Sequence, residues 1–342
     1  MLPANRRRFL LWAAGAGGAF GLGAAGWFSQ GTRTRSPGST MLHAAVENSQ
    51  AMGSAVSITA LHARPEAAQR AVRAALAELR LVEKRLSIYR PDSQLSRLNR
   101  RRVLDDPHPD LVRVLSASQD MARRTGGAFD VTVQPLWTCY AEAARAQARP
   151  EAADLRAALD RVDWRRIEIS PRQIRLHGNG TQVTLNGIAQ GFAADRVMAV
   201  LRRHGVEHAL VDTGELGALG GKADDRAWSV GIQHPRRDDA YLCVAGLQGR
   251  CLATSGDYAT RFGADYDLHH LFDPRTGHSP AAFSSVSVAA ATATQADALS
   301  TAVFVLGLDR GIELIRATPG ADALLVLKDG KTLATAGFPR QV

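Results

Sequence analysis

The hydrophobic periodicity changes from helical to strand-like partway along the chain, and this change constrains the fold more than any other feature. Apolar residues recur at helical spacing across 65–86 and again across 111–121, which is typical of amphipathic helices. After residue 160, short strand-like runs separated by turn residues dominate. Because the strands bunch together and do not alternate strictly with helices, the pattern predicts an α+β chain with mixed or antiparallel sheets and flanking helices.

Further elements are predicted within the second half. Helices are expected over 190–204 and 296–306, and the Ala-, Glu- and Arg-rich stretch 141–160 is expected to form a solvated helical segment. Strands are expected at 167–170, 174–177, 183–185, 209–211, 228–232, 241–247, 285–289 and 323–327. With 342 residues, 45% of them hydrophobic, the chain is long enough for one large core or two joined lobes.

The first thirty residues have the character of an export signal. The run Arg6–Arg8 precedes Phe9 and Leu10, and an uncharged stretch rich in Gly and Ala follows. This pattern is typical of twin-arginine signals, so we predict a periplasmic protein with a signal over 1–30, a linker over 31–44 and a folded domain over 45–342. A secretory signal or a retained membrane anchor is the alternative, because no small-x-small cleavage site precedes Ser29.

The charge and the cysteines exclude several classes of protein. The net charge of +9 includes three arginines of the first thirty residues, and the other basic residues are scattered singly. No basic run is interleaved with aromatic residues, so we expect no nucleic-acid partner. The sequence holds three cysteines and neither a CxxC nor an HExxH motif, which gives no support for zinc or dithiol chemistry.

Asp297 and Thr301 form the first candidate site. They are four residues apart near the predicted start of a helix, so their oxygens share one face and could ligate a hard cation such as Mg²⁺. The alternative is structural, because Thr294 or Asp297 at this position could simply cap the helix.

Two further segments carry polar groups at turns. The segment 184–195 runs from a predicted strand through Gly187 into a helix, where a backbone carbonyl could ligate a cation or amides could bind phosphate. A tight turn without a ligand is the alternative. In the segment 269–277, a histidine precedes the turn Asp273–Gly277 and could act as a general base, or could be a structural hydrogen-bonding residue.

Together these segments resemble the ApbE family of FAD:protein FMN transferases. The resemblance extends over about 45–335 and rests on six motifs in order: Ala51–Ser54, Leu86–Ser93, Thr125–Thr132 and the three segments above. It implies a two-lobed single catalytic unit. The family splits FAD at its pyrophosphate, with Mg²⁺, and attaches FMN to a Thr or Ser hydroxyl of an exported or membrane acceptor protein.

The resemblance also implies roles for individual residues. Asp297, Thr301 and the backbone carbonyl of Gly187 would hold Mg²⁺, and His270 would help to deprotonate the acceptor hydroxyl. The positions at which family members contact FAD are Met52, Tyr89, Ala128, Phe129, Asp130, Thr184, Gln190 and Leu271. This assignment is chemically consistent, since phosphoryl transfer asks mainly for a metal, positioning and an oriented nucleophile.

The chain departs from the common family pattern at two places. Gln190 stands where the family commonly has Lys or Glu, and Gly214-Glu215-Leu216 stands where it commonly has Gly-Gly-Asp. With the twin-arginine signal, these features resemble the NosX branch, which serves nitrous oxide reductase maturation and would flavinylate a NosR-type membrane regulator. Two alternative functions remain: an exported flavin-binding protein without transferase activity, and a Mg²⁺-dependent FAD pyrophosphatase.

Overall fold

The structure is a computed structural model that describes residues 41–341, except 223 and 225. The predicted signal over 1–30 lies outside the described residues, as does most of the predicted linker over 31–44. The first strand begins at His43, two residues before the predicted start of the folded domain.

Helices dominate up to residue 160 and strands after it, as the change of periodicity predicts, but an unpredicted hairpin of two strands precedes the first helix. The helices are α1 (Pro65–Leu86), α2 (Gln94–Arg101), α3 (Pro109–Arg124), α4 (Gln134–Arg145), α5 (Ala152–Leu159), α6 (Ala189–Arg203), α7 (Ala293–Leu306) and α8 (Leu308–Arg316). The strands are β1 (His43–Ala51), β2 (Ser54–His62), β3 (Val103–Asp105), β4 (Ile167–Ile169), β5 (Gln173–Leu176), β6 (His208–Asp212), β7 (Leu216–Leu219), β8 (Trp228–His234), β9 (Arg237–Leu247), β10 (Cys251–Gly256), β11 (Phe283–Ala290), β12 (Asp322–Leu327), β13 (Thr332–Ala334) and β14 (Arg340–Gln341).

The main sheet has the strand order β1-β2-β6-β7-β10-β11-β12-β13. Two small sheets, β14-β9-β8 and β3-β5-β4, accompany it in the described part of the chain. The named strands there pair antiparallel throughout. The predicted α+β class with antiparallel sheets and flanking helices is therefore confirmed.

The main sheet is covered on both faces. Helices α1, α6 and α7 contribute to a large hydrophobic cluster with one face, in which Val286 and Val288 of β11 take part. On the other face, Ala289 of the same strand packs with Trp228 and Leu247 of the small sheet. All eight residues of β11 are buried, as expected for a strand between two layers. This strand leads directly into α7, which carries Asp297 and Thr301.

Not every predicted element forms. The stretch 183–185 is not a strand, because the side chain of Asn99 bonds to both the N–H and the C=O of Val183 and so occupies the groups that a neighbouring strand would use. The segment 141–160 contains the end of α4 and all of α5, and α5 is largely exposed, as predicted. None of the helices in the described residues is both long and apolar enough to cross a membrane.

Candidate active site

The start of helix α7 is capped by residues other than Asp297. Thr292 is the N-cap, and its hydroxyl accepts a hydrogen bond from the N–H of Gln295 at 3.2 Å. The carboxylate of Asp195, from α6, accepts from the N–H groups of Ala293 and Thr294, each at 2.9 Å. Asp297 lies one turn further along, so neither it nor Thr294 is the N-cap, and the capping interpretation is wrong.

Asp297 is buried against the glycine turn. Only 3% of its surface is exposed, and its Oδ2 accepts from the N–H of Gly191 at 2.9 Å. A methyl group at Gly191 would lie 2.2 Å from the carbonyl oxygen of Ala293, so only glycine lets α6 approach the start of α7 this closely. The close packing of the two helix starts therefore fixes the carboxylate beside the turn.

The structure brings Gly187 and Thr301 together. A methyl group at Gly187 would lie 3.0 Å from Oγ1 of Thr301 and 3.5 Å from the ring of Phe129. The Thr301 hydroxyl is 3.1 Å from that of Ser255, which in turn is 2.8 Å from that of Ser300. Three predicted residues from distant parts of the sequence, Phe129, Gly187 and Thr301, thus meet at one place.

Buried carboxyl groups give this place an unusual electrostatic character. Burial raises the pKa of Asp297 well above its usual range, and nearby Asp195 raises it further, although the Gly191 N–H opposes the shift. Burial also raises the pKa of Glu215, with Asp297 as the next contribution, while Oε2 of Glu215 accepts from the N–H of Thr254 at 3.1 Å. A bound cation would relieve this cost by stabilising the ionised forms.

The available donors suit a hard cation. A carboxylate, a hydroxyl and a backbone carbonyl are oxygen ligands of the kind that Mg²⁺ and Ca²⁺ prefer. Within the described residues, no group of three or more His, Cys, Asp or Glu side chains is arranged to hold a metal ion. A metal at Asp297 would therefore need the hydroxyl of Thr301 and backbone oxygens, and these residues fit Mg²⁺.

His270 lies in the loop between β10 and β11, where its ring is oriented by the backbone. Its Nδ1 is 3.2 Å from the carbonyl oxygen of Thr260, and its own N–H donates to the same oxygen at 3.1 Å. Burial lowers the pKa of His270, so the ring is neutral at neutral pH. With the hydrogen on Nδ1 donated to Thr260, Nε2 keeps a lone pair that can accept a proton.

The adjacent His269 has a different environment. It is fully buried, its Nε2 is 3.1 Å from the carbonyl oxygen of Pro280, and its ring meets that of Phe304 edge-on. Burial lowers its pKa to about 4. It is a structural histidine, whereas His270 is only half-buried.

Met52, Tyr89 and Gln190 lie around the β1–β2 turn. The ring of Tyr89 would be 3.4 Å from a methyl group at Gly53, and its hydroxyl accepts from the side chain of Asn186 at 2.9 Å. Nε2 of Gln190 donates to the hydroxyl of Ser54 at 2.6 Å and lies 3.5 Å from the carbonyl oxygen of Met52. Gln190 therefore contacts the turn itself.

The segment Ala128–Asp130 is buried, and Asp130 uses its oxygens internally. Its Oδ1 accepts from the N–H and the hydroxyl of Thr132, at 2.7 and 2.6 Å, and its Oδ2 accepts from the N–H of Trp164 at 3.0 Å. Burial raises the pKa of Asp130 to about 6, although these three donors lower it. The carboxyl group holds the loop that carries Phe129.

The remaining two predicted FAD contacts are Thr184 and Leu271. Thr184 is half-buried, its N–H donates to the carbonyl oxygen of Val131 at 2.8 Å, and its hydroxyl is 3.4 Å from the N–H of Asn186. Leu271 is 8% exposed and belongs to the main hydrophobic cluster.

Several residues at the site were not predicted from the sequence. Glu83, Asp195 and Asn186 each bond to a predicted residue or to the helix that carries one. Asp195 and Asn186 fall inside the segment 184–195, so that motif contained a signal for them. Glu83 is one of many charged residues on α1, and nothing in its local sequence distinguishes it.

Comparison with known proteins identifies the family. The sequence model of the ApbE family matches residues 52–325. An FAD:protein FMN transferase of Treponema pallidum (strain Nichols) is 34% identical in an alignment of 284 residues in length, which covers 75% of this chain and 77% of that protein. An FAD:protein FMN transferase of Haemophilus influenzae is 31% identical in an alignment of 265 residues in length, which covers 73% of this chain and 77% of that protein.

Solved structures give the same result for the fold. The ApbE protein of Thermotoga maritima superposes with a TM-score of 0.78 at 27% identity, covering 87% of this chain and 100% of that one. The flavin transferase ApbE of Vibrio cholerae superposes with a TM-score of 0.77 at 26% identity, covering 87% and 99%. The family match extends over most of the chain and includes every candidate site residue, and the chain therefore belongs to the ApbE family.

Proposed function

We propose that this protein is an FAD:protein FMN transferase that uses Mg²⁺ and attaches FMN to a Thr or Ser hydroxyl of an acceptor protein. The observation that carries the proposal is the close approach of Gly187 to Thr301 next to Phe129, with Asp297 one turn earlier on the same helix, where its carboxylate accepts the Gly191 N–H. It supplies oxygen ligands for a hard cation within the part of the chain that the ApbE family matches, and relatives of this chain are named FAD:protein FMN transferases.

In this reaction the acceptor hydroxyl attacks the phosphorus of the FMN half of FAD. The new bond joins the hydroxyl oxygen to that phosphorus, the pyrophosphate P–O bond breaks, and AMP leaves with the bridging oxygen. Mg²⁺ held by Asp297, Thr301 and the Gly187 carbonyl would neutralise charge on the pyrophosphate when bound.

His270 is suited to remove the proton of the attacking hydroxyl. Its neutral ring, donating from Nδ1 to Thr260, keeps Nε2 available as the acceptor of that proton. Burial favours the neutral form, so the base is ready at neutral pH without a carboxylate partner.

The acceptor and the compartment complete the proposal. The paired arginines of residues 6–8 and the uncharged stretch after them support export by the twin-arginine route, which puts the enzyme and its acceptor in the periplasm or at the inner membrane. The resemblance to the NosX branch favours a NosR-type membrane flavoprotein as that acceptor, with nitrous oxide reductase maturation as the process served.

The test is a transfer assay with purified protein, FAD, Mg²⁺ and an exported domain of a NosR-type acceptor. We expect the acceptor to gain the mass of FMN less one water, as a phosphoester requires, measured by intact-protein mass spectrometry. Asp297→Ala should abolish transfer, and His270→Ala should slow it by at least about 100-fold while FAD still binds. His269→Ala is the matched control, which should lower the melting temperature but keep transfer.

Each alternative gives a distinct result in this assay. Release of AMP and free FMN with an unmodified acceptor would indicate a pyrophosphatase. Bound FAD that stays intact would indicate a flavin-binding protein. If His270→Ala transferred FMN at the same rate as the wild type, His270 would not be the base.

A further inference from the structure

The two-residue turn between β1 and β2 adopts a conformation that its sequence does not favour. Met52 has φ +54° and Gly53 has φ +80°, and Ala51 pairs directly with Ser54. Such turns need positive φ at both central residues, and Asn or Gly usually occupies the first. Met52 carries a large side chain there, and it is only 7% exposed. The surrounding structure must therefore hold the turn.

Two helices hold this turn from opposite sides. From α1, Oε1 of Glu83 accepts the N–H of Met52 at 2.8 Å. From α6, Nε2 of Gln190 donates to the Ser54 hydroxyl at 2.6 Å. The backbone of Gln190 is fixed as well, because its main-chain carbonyl oxygen accepts a hydrogen bond from the hydroxyl of Thr213 at 2.9 Å.

The last turn of α1 positions a second predicted flavin contact as well. Ser87 follows α1 directly, its N–H donates to the carbonyl oxygen of Glu83, and its hydroxyl accepts from the N–H of Tyr89 at 3.2 Å. The ring of Tyr89 lies against Gly53, where a side chain would meet it at 3.4 Å. One helix end thus fixes both Met52 and Tyr89 relative to each other.

We propose that Glu83 is a positioning residue for FAD, which presents Met52 and Tyr89 to the flavin by holding the Met52–Gly53 turn. The inference rests on the proposed function, because it takes Met52 and Tyr89 as FAD contacts. It also explains Gln190 at a position where the family commonly has Lys or Glu: the amide donates to Ser54, so its role in this chain is to support the turn.

The test compares the affinity for FAD, measured by quenching of flavin fluorescence, among three variants of α1. Glu83→Ala removes the acceptor of the Met52 N–H, and we expect about a tenfold weaker affinity. Glu83→Gln keeps an oxygen acceptor and should bind FAD as the wild type does. Glu66→Ala is the matched control, because Glu66 is exposed in the first turn of the same helix.

A second measurement separates positioning from general stability. Hydrogen exchange at the Met52 amide should be faster in Glu83→Ala and unchanged in Glu66→Ala. If Glu83→Ala does not fold, Glu83→Met keeps the unbranched stem without the acceptor and should show the same loss.

The outcomes distinguish this inference from the proposed function. A wild-type protein that does not bind FAD would overturn both. A wild type that binds FAD, together with unchanged affinity in Glu83→Ala, would overturn the role of Glu83 alone. An equal loss of FAD affinity in Glu83→Gln and Glu83→Ala would also overturn it. The affinity would then depend on the charge of Glu83 and not on its hydrogen bond to Met52.

Discussion

Asp130 is a buried carboxyl group on which burial and hydrogen bonding act in opposite directions. The three donors from Thr132 and Trp164 favour the ionised form, whereas burial favours the neutral form and raises the pKa to about 6. The loop that it holds carries Phe129 to the glycine turn, where the Phe129 ring would lie 3.5 Å from a methyl group at Gly187.

This balance predicts a specific dependence of stability on pH. The folded pKa is above the ordinary value of 3.8, so between about pH 4 and pH 6 the folded protein holds a proton that the unfolded chain has lost. Raising the pH through this window therefore lowers the free energy of unfolding, by about 3 kcal/mol for a shift of about two pKa units.

Asp130→Asn removes this titration and provides the comparison. We expect the unfolding free energy of the wild type, relative to the variant, to decrease as the pH rises from 4 to 7 in urea titrations. If the unfolding free energy of the wild type instead increased relative to that of the variant as the pH rises, the three donors would outweigh burial and the pKa of Asp130 would be depressed.

At the scale of elements, the four longest of the described helices could be predicted closely, whereas the short helices α2 and α8 were not predicted. The prediction for α1 matches its bounds, and α6 and α7 begin within three residues of their predicted starts. The hairpin of β1 and β2 was not predicted, because β1 is an edge strand of small and polar residues with little buried surface. Strand β10 was missed because it is covered on both faces and so shows no alternation.

The site could be predicted only where its residues share a local pattern. The spacing of Asp297 and Thr301 indicates a common helix face, and the structure places Gly187 beside Thr301. The bond from Met52 to Glu83 joins a turn to a helix across 31 residues, and no local pattern indicates it. Such contacts depend on how α1 packs against the first hairpin, which is a tertiary property.

The start of α7 depends on α6, and this connection gives a prediction about one pair of residues. Asp195→Ala removes the acceptor of two N–H groups at the start of α7, so we expect a loss of about 2–3 kcal/mol in the free energy of unfolding. We also expect weaker Mg²⁺ binding by calorimetry, because Asp297 lies on the next turn of the helix whose start has loosened.

Thr292→Ala is the control for this prediction. It removes the N-cap side chain of the same helix and should lower the free energy of unfolding by about 1 kcal/mol. The contact between α6 and α7 through Gly191 and Asp297 stays intact, so Mg²⁺ affinity should be close to that of the wild type. Equal loss of Mg²⁺ affinity in both variants would show that helix stability alone matters.

At the scale of the molecule, one hydrophobic cluster extends from Ala45 to Leu325 and joins the first hairpin, α1, α6 and α7 to the main sheet. The candidate site is assembled from the same parts, with Met52 near one end of the described chain and Thr301 near the other. We therefore expect a ligand bound at this site to stabilise the whole domain, since its contacts to both ends would be lost together when the core opens.

The last prediction follows from this coupling between the core and the site. The mature domain should unfold in one transition in differential scanning calorimetry, and FAD with Mg²⁺ at about 100 times the dissociation constant should raise the midpoint by about 5 °C. Removing Mg²⁺ with EDTA should cancel the metal-dependent part of that shift. Asp297→Ala should behave like the EDTA-treated wild type, because it lacks the only carboxylate among the proposed ligands. Two separate transitions, with only one of them responding to FAD, would contradict a single cooperative unit in which the site spans both ends of the chain.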